Sequence, residues 1–91
     1  MKRIHLVIHG RVQGVGFRFF VQQMAAEYDV KGWVRNRDDG SVELEAQADE
    51  NRLSRFTEAV KQGPRFSKVT DWEIREKNPD SSLRSFHVRY E

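Results

Sequence analysis

The chain has 91 residues, room for one domain with a modest core. Sixteen basic and fourteen acidic residues leave a net charge of +2 with the signs interspersed, so the pI near 9.2 reflects a small excess rather than a basic face. With no cysteine, disulfides, cysteine-based zinc sites and thiol chemistry are excluded, and no apolar run reaches transmembrane length.

A first strand is expected at about Lys2–His9. Alternation places Ile4, Leu6 and Ile8 on one face and Arg3, His5, Val7 and His9 on the other. This apolar stretch is too short, and broken by His5, to serve as the core of a signal peptide, so a cytoplasmic setting is expected. The segment Gly10-Arg11-Val12-Gln13-Gly14-Val15-Gly16-Phe17-Arg18 follows, with three glycines in seven residues. A helix is then predicted from Phe17 to Tyr28, with Phe17, Phe20, Val21, Met24, Ala25 and Tyr28 on one side. Asp29 is expected to end it in a left-handed conformation.

The second strand is expected over Val30–Arg37, followed by a tight turn at Asp38-Asp39-Gly40. The third alternates Val42, Leu44, Ala46 and Ala48 against Glu43, Glu45 and Gln47, which predicts one buried and one wet face. Asp49 is the predicted N-cap of a second helix that buries Leu53, Phe56, Ala59 and Val60 and stops at Gly63-Pro64. Strands are expected near Lys68–Glu76 and Ser85–Tyr90, separated by a loop at Asn78-Pro79-Asp80-Ser81-Ser82. The order predicts a ferredoxin-like α+β fold, a βαββαβ sandwich in which two helices cover one face of an antiparallel sheet, plus a short C-terminal strand. Residues 1–91 read as a single domain.

Two loops hold the candidate chemistry. The glycine segment lies between a strand and a helix start, where glycine permits positive φ and unpaired amides face forward. Such a cradle suits an anion, most often a phosphate, and Arg18 would add a planar, permanent charge. The segment lacks the Gly-Lys-Ser/Thr of a nucleotide P-loop, and Phe19 stands where a dinucleotide fingerprint needs a small residue. A plain strand–helix turn is the bland alternative. Asn36, at a strand end, is either a turn residue bonding its own backbone or an amide that positions a ligand or a water.

With both loops in view, the chain resembles the acylphosphatase family. The Gly10–Arg18 segment is similar to the family's first signature in full. Gly32-Trp33-Val34-Arg35-Asn36, with Gly40 and Val42, resembles its second. Gly63-Pro64 and the closing Phe86, Val88 and Tyr90 also match. The resemblance implies hydrolysis of acyl phosphates to a carboxylate and inorganic phosphate, with no metal or cofactor. By the same match, Arg18 is the catalytic, phosphate-binding arginine and Asn36 orients the attacking water. The amides of Gln13, Gly14, Val15, Gly16, Phe17 and Arg18 would form the cradle. The implied partners are a small acyl phosphate and inorganic phosphate as product and competitive inhibitor, with no nucleic acid and no membrane, for a monomer. Asp29 and Ala48 stand where the family usually has glycine.

The remaining candidates are weaker. His5, His9 and His87 lack metal-ligand spacing, although His9 could touch an anion from the strand surface. Arg11 and Arg35 add positive potential, Phe19 could line the mouth or pack outward, and Arg52, Arg55 and Lys61 read as the wet face of the second helix. RNA-recognition modules share the element order but need aromatics on the first and third strands, which here have none and expose Glu43 and Glu45. A domain that senses phosphate without catalysis is the third reading, and it would not require Asn36.

Overall fold

A computed structural model describes residues 1–90. The elements are β1 (Lys2–Arg11), α1 (Phe17–Tyr28), β2 (Lys31–Asn36), β3 (Val42–Ala48), α2 (Glu50–Gln62), β4 (Lys68–Lys77) and β5 (Phe86–Arg89). The sheet runs β4-β1-β3-β2-β5. The first four strands are antiparallel neighbours, as expected. The last is not: β5 lies parallel to β2, from Gly32 opposite Phe86 to Arg35 opposite Arg89, so the five-stranded sheet is mixed. Both helices lie on one face, α1 over β2 and β5 and α2 over β1, β3 and β4.

Register explains the core. Leu6 sits opposite Leu44, Leu44 opposite Val34, and Val34 opposite Val88, so alternate residues of four strands share one face. Phe17, Val21 and Ala25 of α1 and Leu53, Phe56 and Val60 of α2 close over that face. Ala59, expected inside, is half-buried, and Thr57 is buried in addition, its hydroxyl donating to the Leu53 carbonyl at 2.7 Å. Trp72 and Ile74 face the helix layer but stay 43% and 47% exposed, because β4 is the sheet edge and α2 covers it incompletely. Lys61 of α2 lies over the Trp72 ring, 4.7 Å from its centroid.

The helix ends follow from local chemistry. Asp29 adopts φ 55° and ψ 55°, the left-handed cap expected of it, and Val30 N donates to the Ala25 carbonyl at 2.8 Å. The Asp29 carboxylate accepts from Arg52 Nη1 at 2.7 Å, and Arg52 also bonds Asp49. A residue that usually avoids positive φ is thereby tied to α2, and the bend keeps the shape a glycine would give. Asp49 caps α2 by accepting from Arg52 N at 3.0 Å.

The opposite face of β3 corrects the expected alternation. Glu45 and Gln47 are only 8% and 5% exposed. Glu45 accepts from Arg3 at 3.3 Å and from Lys77 at 3.0 Å. Gln47 exchanges two hydrogen bonds with the backbone of Asp80, at 3.0 and 2.7 Å, which lays the loop before β5 across this face. The middle strand is therefore covered on both sides, by helices on one and by paired side chains on the other. Glu45 is not the exposed glutamate that the comparison with RNA-binding modules supposed.

Glu43 completes this polar layer. His5 Nε2 lies 2.6 Å from one of its oxygens and Arg35 Nε 2.6 Å from the other. Burial opposes its ionisation, but the hydrogen bonds from His5 and Arg35 outweigh it and hold the carboxyl below the usual carboxylate range. A lowered folded-state pKa gives stability that is present above the unfolded value of about 4.3 and lost as pH falls through the folded value. Glu43→Gln is expected to destabilise the fold by about 1–2 kcal/mol at pH 7. The gap between variant and parent in urea midpoint should close as pH falls below about 4. A gap unchanged at low pH would mean that the carboxylate charge contributes nothing.

Candidate active site

The loop between β1 and α1 brings its amides forward by two left-handed glycines. Gly14 has φ 75° and Gly16 φ 77°, values that L side chains rarely adopt, while a Cβ at either would meet nothing within 4 Å. Glycine is thus needed there for the backbone turn and not for packing room. Gly16 is the N-cap of α1, and the helical ladder opens with Phe20 N donating to its carbonyl at 3.0 Å. No side chain caps this helix start, and its first turn holds no acidic residue. The contrast with α2, capped by Asp49 and carrying Glu50 in its first turn, is direct. One helix satisfies its own N-terminus, and the other leaves amides and a positive dipole end facing out.

A cavity of about 200 Å³ lies in front of these amides. Gln13, Gly14, Gly16, Phe17, Arg18 and Asn36 line it, together with Val12, Phe19 and Tyr90. Arg18 and Asn36, distant in sequence, are thereby brought to one site. Val15, expected in the same set, does not line the cavity; it packs against the core. The buried ring of Phe17 anchors the loop to α1 and meets Phe20 edge-on at 6.2 Å.

Three further contacts hold the geometry. The Gln13 side chain donates to the carbonyls of Arg37 and Ser41 at 2.7 and 2.9 Å. These two residues close the β2–β3 hairpin, with Arg37 N donating to Ser41 O at 2.9 Å. Gln13 therefore straps the glycine loop to the hairpin that follows Asn36. Asp39 tightens the hairpin by accepting from the Ser41 hydroxyl and amide at 2.5 and 2.9 Å. Those bonds, side chain first, hold its carboxyl below the usual carboxylate range. The third contact is at Arg18, whose guanidinium lies 4.6 Å from the centroid of the Tyr90 ring and donates to the Arg89 carbonyl at 3.4 Å. The end of β5 thus backs the arginine.

Asn36 ends β2 opposite Val42. Its side-chain amide makes no hydrogen bond to any described residue, so it does not serve as a turn residue bonding its own backbone. His9 pairs with Glu73 at 2.7 Å and Arg35 with Glu43, so neither lines the cavity. Among the described residues, no group of three or more His, Asp or Glu side chains is arranged to hold a metal ion.

Sequence reading missed the Gln13 side chain and the stacking of Tyr90 on Arg18. Tyr90 stood in the resemblance only as part of a closing strand. Each contact spans a long separation, 28 residues from Gln13 to Ser41 and 71 from Arg18 to Arg89, which local pattern does not encode.

The acylphosphatase family model matches residues 4–88. The chain is 48% identical over 90 residues to an acylphosphatase of Bacillus subtilis, covering 99% of both chains. It is 46% identical over 91 residues to one of Oceanobacillus iheyensis, covering 99% of this chain and 100% of that one. The crystal structure of acylphosphatase from Bacillus subtilis superposes with a TM-score of 0.95 at 48% identity, covering 99% of this chain and 100% of that one. The chain belongs to the acylphosphatase family, hydrolases whose reaction is the cleavage of acyl phosphates.

Proposed function

We propose that the uncapped start of α1 and Arg18 grip the phosphoryl group of an acyl phosphate, and that Asn36 aims the water that attacks it. The observation that carries this reading is the convergence of bare amides, one guanidinium and one unpartnered amide side chain on a single small cavity. At about 200 Å³ the cavity suits a small acyl phosphate, being below the size of pockets that take drug-sized ligands.

The chemistry asks little of the protein. The leaving group is a carboxylate, which needs no proton at neutral pH. Water attacks phosphorus as the bond to the acyl oxygen breaks. The carboxylate leaves with the bonding pair, and a phosphoryl oxygen takes the proton of the water. What must be supplied is alignment, plus stabilisation of the charge spread over three phosphoryl oxygens. The loop amides from Gln13 to Arg18 and the Arg18 guanidinium supply the second, and Asn36, which both donates and accepts, supplies the first. No step calls for a metal or cofactor.

The same reading takes residues 1–91 as one catalytic domain, a cytoplasmic monomer. Among the described residues, no helix is long and apolar enough to cross a membrane. Nucleic acid is not a partner in this reading: the face of β1 and β3 away from the helices carries no Phe, Tyr or Trp for stacking, and its two histidine rings are engaged, His5 with Glu43 and His9 with Glu73.

Inorganic phosphate is expected to inhibit competitively and to raise the melting temperature, because it binds only the folded cradle. EDTA should leave turnover unchanged. Calorimetric scans with and without phosphate, beside rates with and without EDTA, check both. A chelator effect reversed by magnesium would sink the metal-free mechanism.

A further inference from the structure

We propose that the side chain of Gln13 is a positioning residue for the reaction: it fixes Asn36 relative to the phosphate cradle, so that water and phosphorus are held in line. The inference rests on the roles given above to the cradle and to Asn36, and it concerns what joins them. Both parts leave the sheet at one place. The ladder between β1 and β3 ends with Ile8 opposite Val42, and that between β2 and β3 with Asn36 opposite Val42. Beyond it, Gly10 and Arg11 pair with β4 alone, and no strand pairing joins the glycine loop to the hairpin. Gln13 bridges that gap, donating to the Arg37 carbonyl at 2.7 Å and to the Ser41 carbonyl at 2.9 Å. Its backbone thus belongs to the cradle, and its side-chain amide holds the residue that follows Asn36.

The bridge is specified on both sides. A side-chain amide has two N–H donors, and Gln13 spends both on carbonyls; turned over, it would set its own oxygen against theirs. Each carbonyl also accepts one bond of the hairpin itself, that of Arg37 from Gly40 N at 3.2 Å and that of Ser41 from Arg37 N at 2.9 Å. Gln13 therefore takes the second lone pair of each. The hairpin closes without it, and what the strap adds is the position of the hairpin relative to the loop. Asn36 depends on that position, because its side chain makes no hydrogen bond to any described residue and goes where the backbone carries it. The cradle places phosphorus and Asn36 places the water. A shift between the two segments misaligns the reacting atoms, and a misplacement of ~1 Å can cost about 100-fold in rate. A hairpin still closed by its own bonds but no longer strapped should lose about tenfold.

Gln13→Met keeps the length of the side chain and removes both donors, and Gln13→Ala removes the side chain as well. Each is compared with the parent, with Asn36→Ala and with a double variant carrying Gln13→Met and Asn36→Ala. The readouts are steady-state kinetics on benzoyl phosphate and the inhibition constant of inorganic phosphate, with circular dichroism to show that each protein is folded. Gln13→Met is expected to lower kcat about tenfold while KM and the phosphate constant stay within about twofold of the parent, and Gln13→Ala should show the same split. On top of Asn36→Ala, the same change should cost less than about twofold, since the group it positions is already gone. Parental kcat in Gln13→Met overturns the inference. So does a full further loss of about tenfold in the double variant, which would mean that the two side chains act independently. A phosphate constant that rises as kcat falls overturns it too, and makes Gln13 a shaper of the cradle. Parental kcat in Asn36→Ala overturns the water-aiming reading, and this inference with it; a loss there with none in Gln13→Met overturns this inference alone.

Discussion

Arg18→Ala is expected to lower turnover of benzoyl phosphate by at least ~100-fold, the scale for losing one preorganised stabiliser of transition-state charge. Arg18 sits in the first turn of α1, lines the cavity, and is backed by the Tyr90 ring and the Arg89 carbonyl. Neither support satisfies the charge of the guanidinium, so its planar fork remains available to an anion. The loss should appear in kcat as well as in phosphate affinity, because the same oxygens carry charge in the ground and transition states. Arg18→Lys should rescue poorly. An ammonium reaches the same region but cannot offer two parallel donors or stack on Tyr90 in the same way. Steady-state kinetics on both variants decide it, with circular dichroism to show that each is folded. Near-parental activity in the lysine variant would sink the bidentate role.

How much of this was legible beforehand follows from the range of each interaction. The span of α1, its left-handed end at Asp29 and the capping of α2 by Asp49 are written in a few neighbouring residues, and the structure has them where local chemistry places them. Glycine spacing and Arg18 marked the loop for the same reason. The polar face of β3 was misjudged because Glu45 and Gln47 are buried by partners 32 and 33 residues away, Lys77 and Asp80. An alternating pattern reports which face a side chain takes, not what later covers it. The direction of β5 was likewise invisible: parallel pairing with β2 depends on how the loop before it crosses the sheet. The side chains of Gln13 and Tyr90 hold the site through such distant contacts. Sequence thus marked the groups that would meet the substrate more readily than those that hold them in place.

Asn36→Ala should separate binding from chemistry. The loop amides and Arg18 would still hold phosphate, so affinity for inorganic phosphate should survive nearly intact. The lost amide aims a water whose position matters mainly in the transition state, so kcat should fall by ~100-fold with little change in KM. The fold should persist as well. Asn36 is the last residue of β2, half-buried at the mouth of the hairpin, and no hydrogen bond of its side chain would be lost. The hairpin itself is closed by Arg37, Ser41, Asp39 and the strap from Gln13, none of which involves that amide. Two titrations on the purified variant check this: phosphate binding by calorimetry, and steady-state kinetics on benzoyl phosphate. If phosphate binding collapses along with turnover, Asn36 is a ligand or a structural bond, and the water-aiming role is wrong. If both persist, position 36 is only the end of a strand, and the attacking water is aimed by something else.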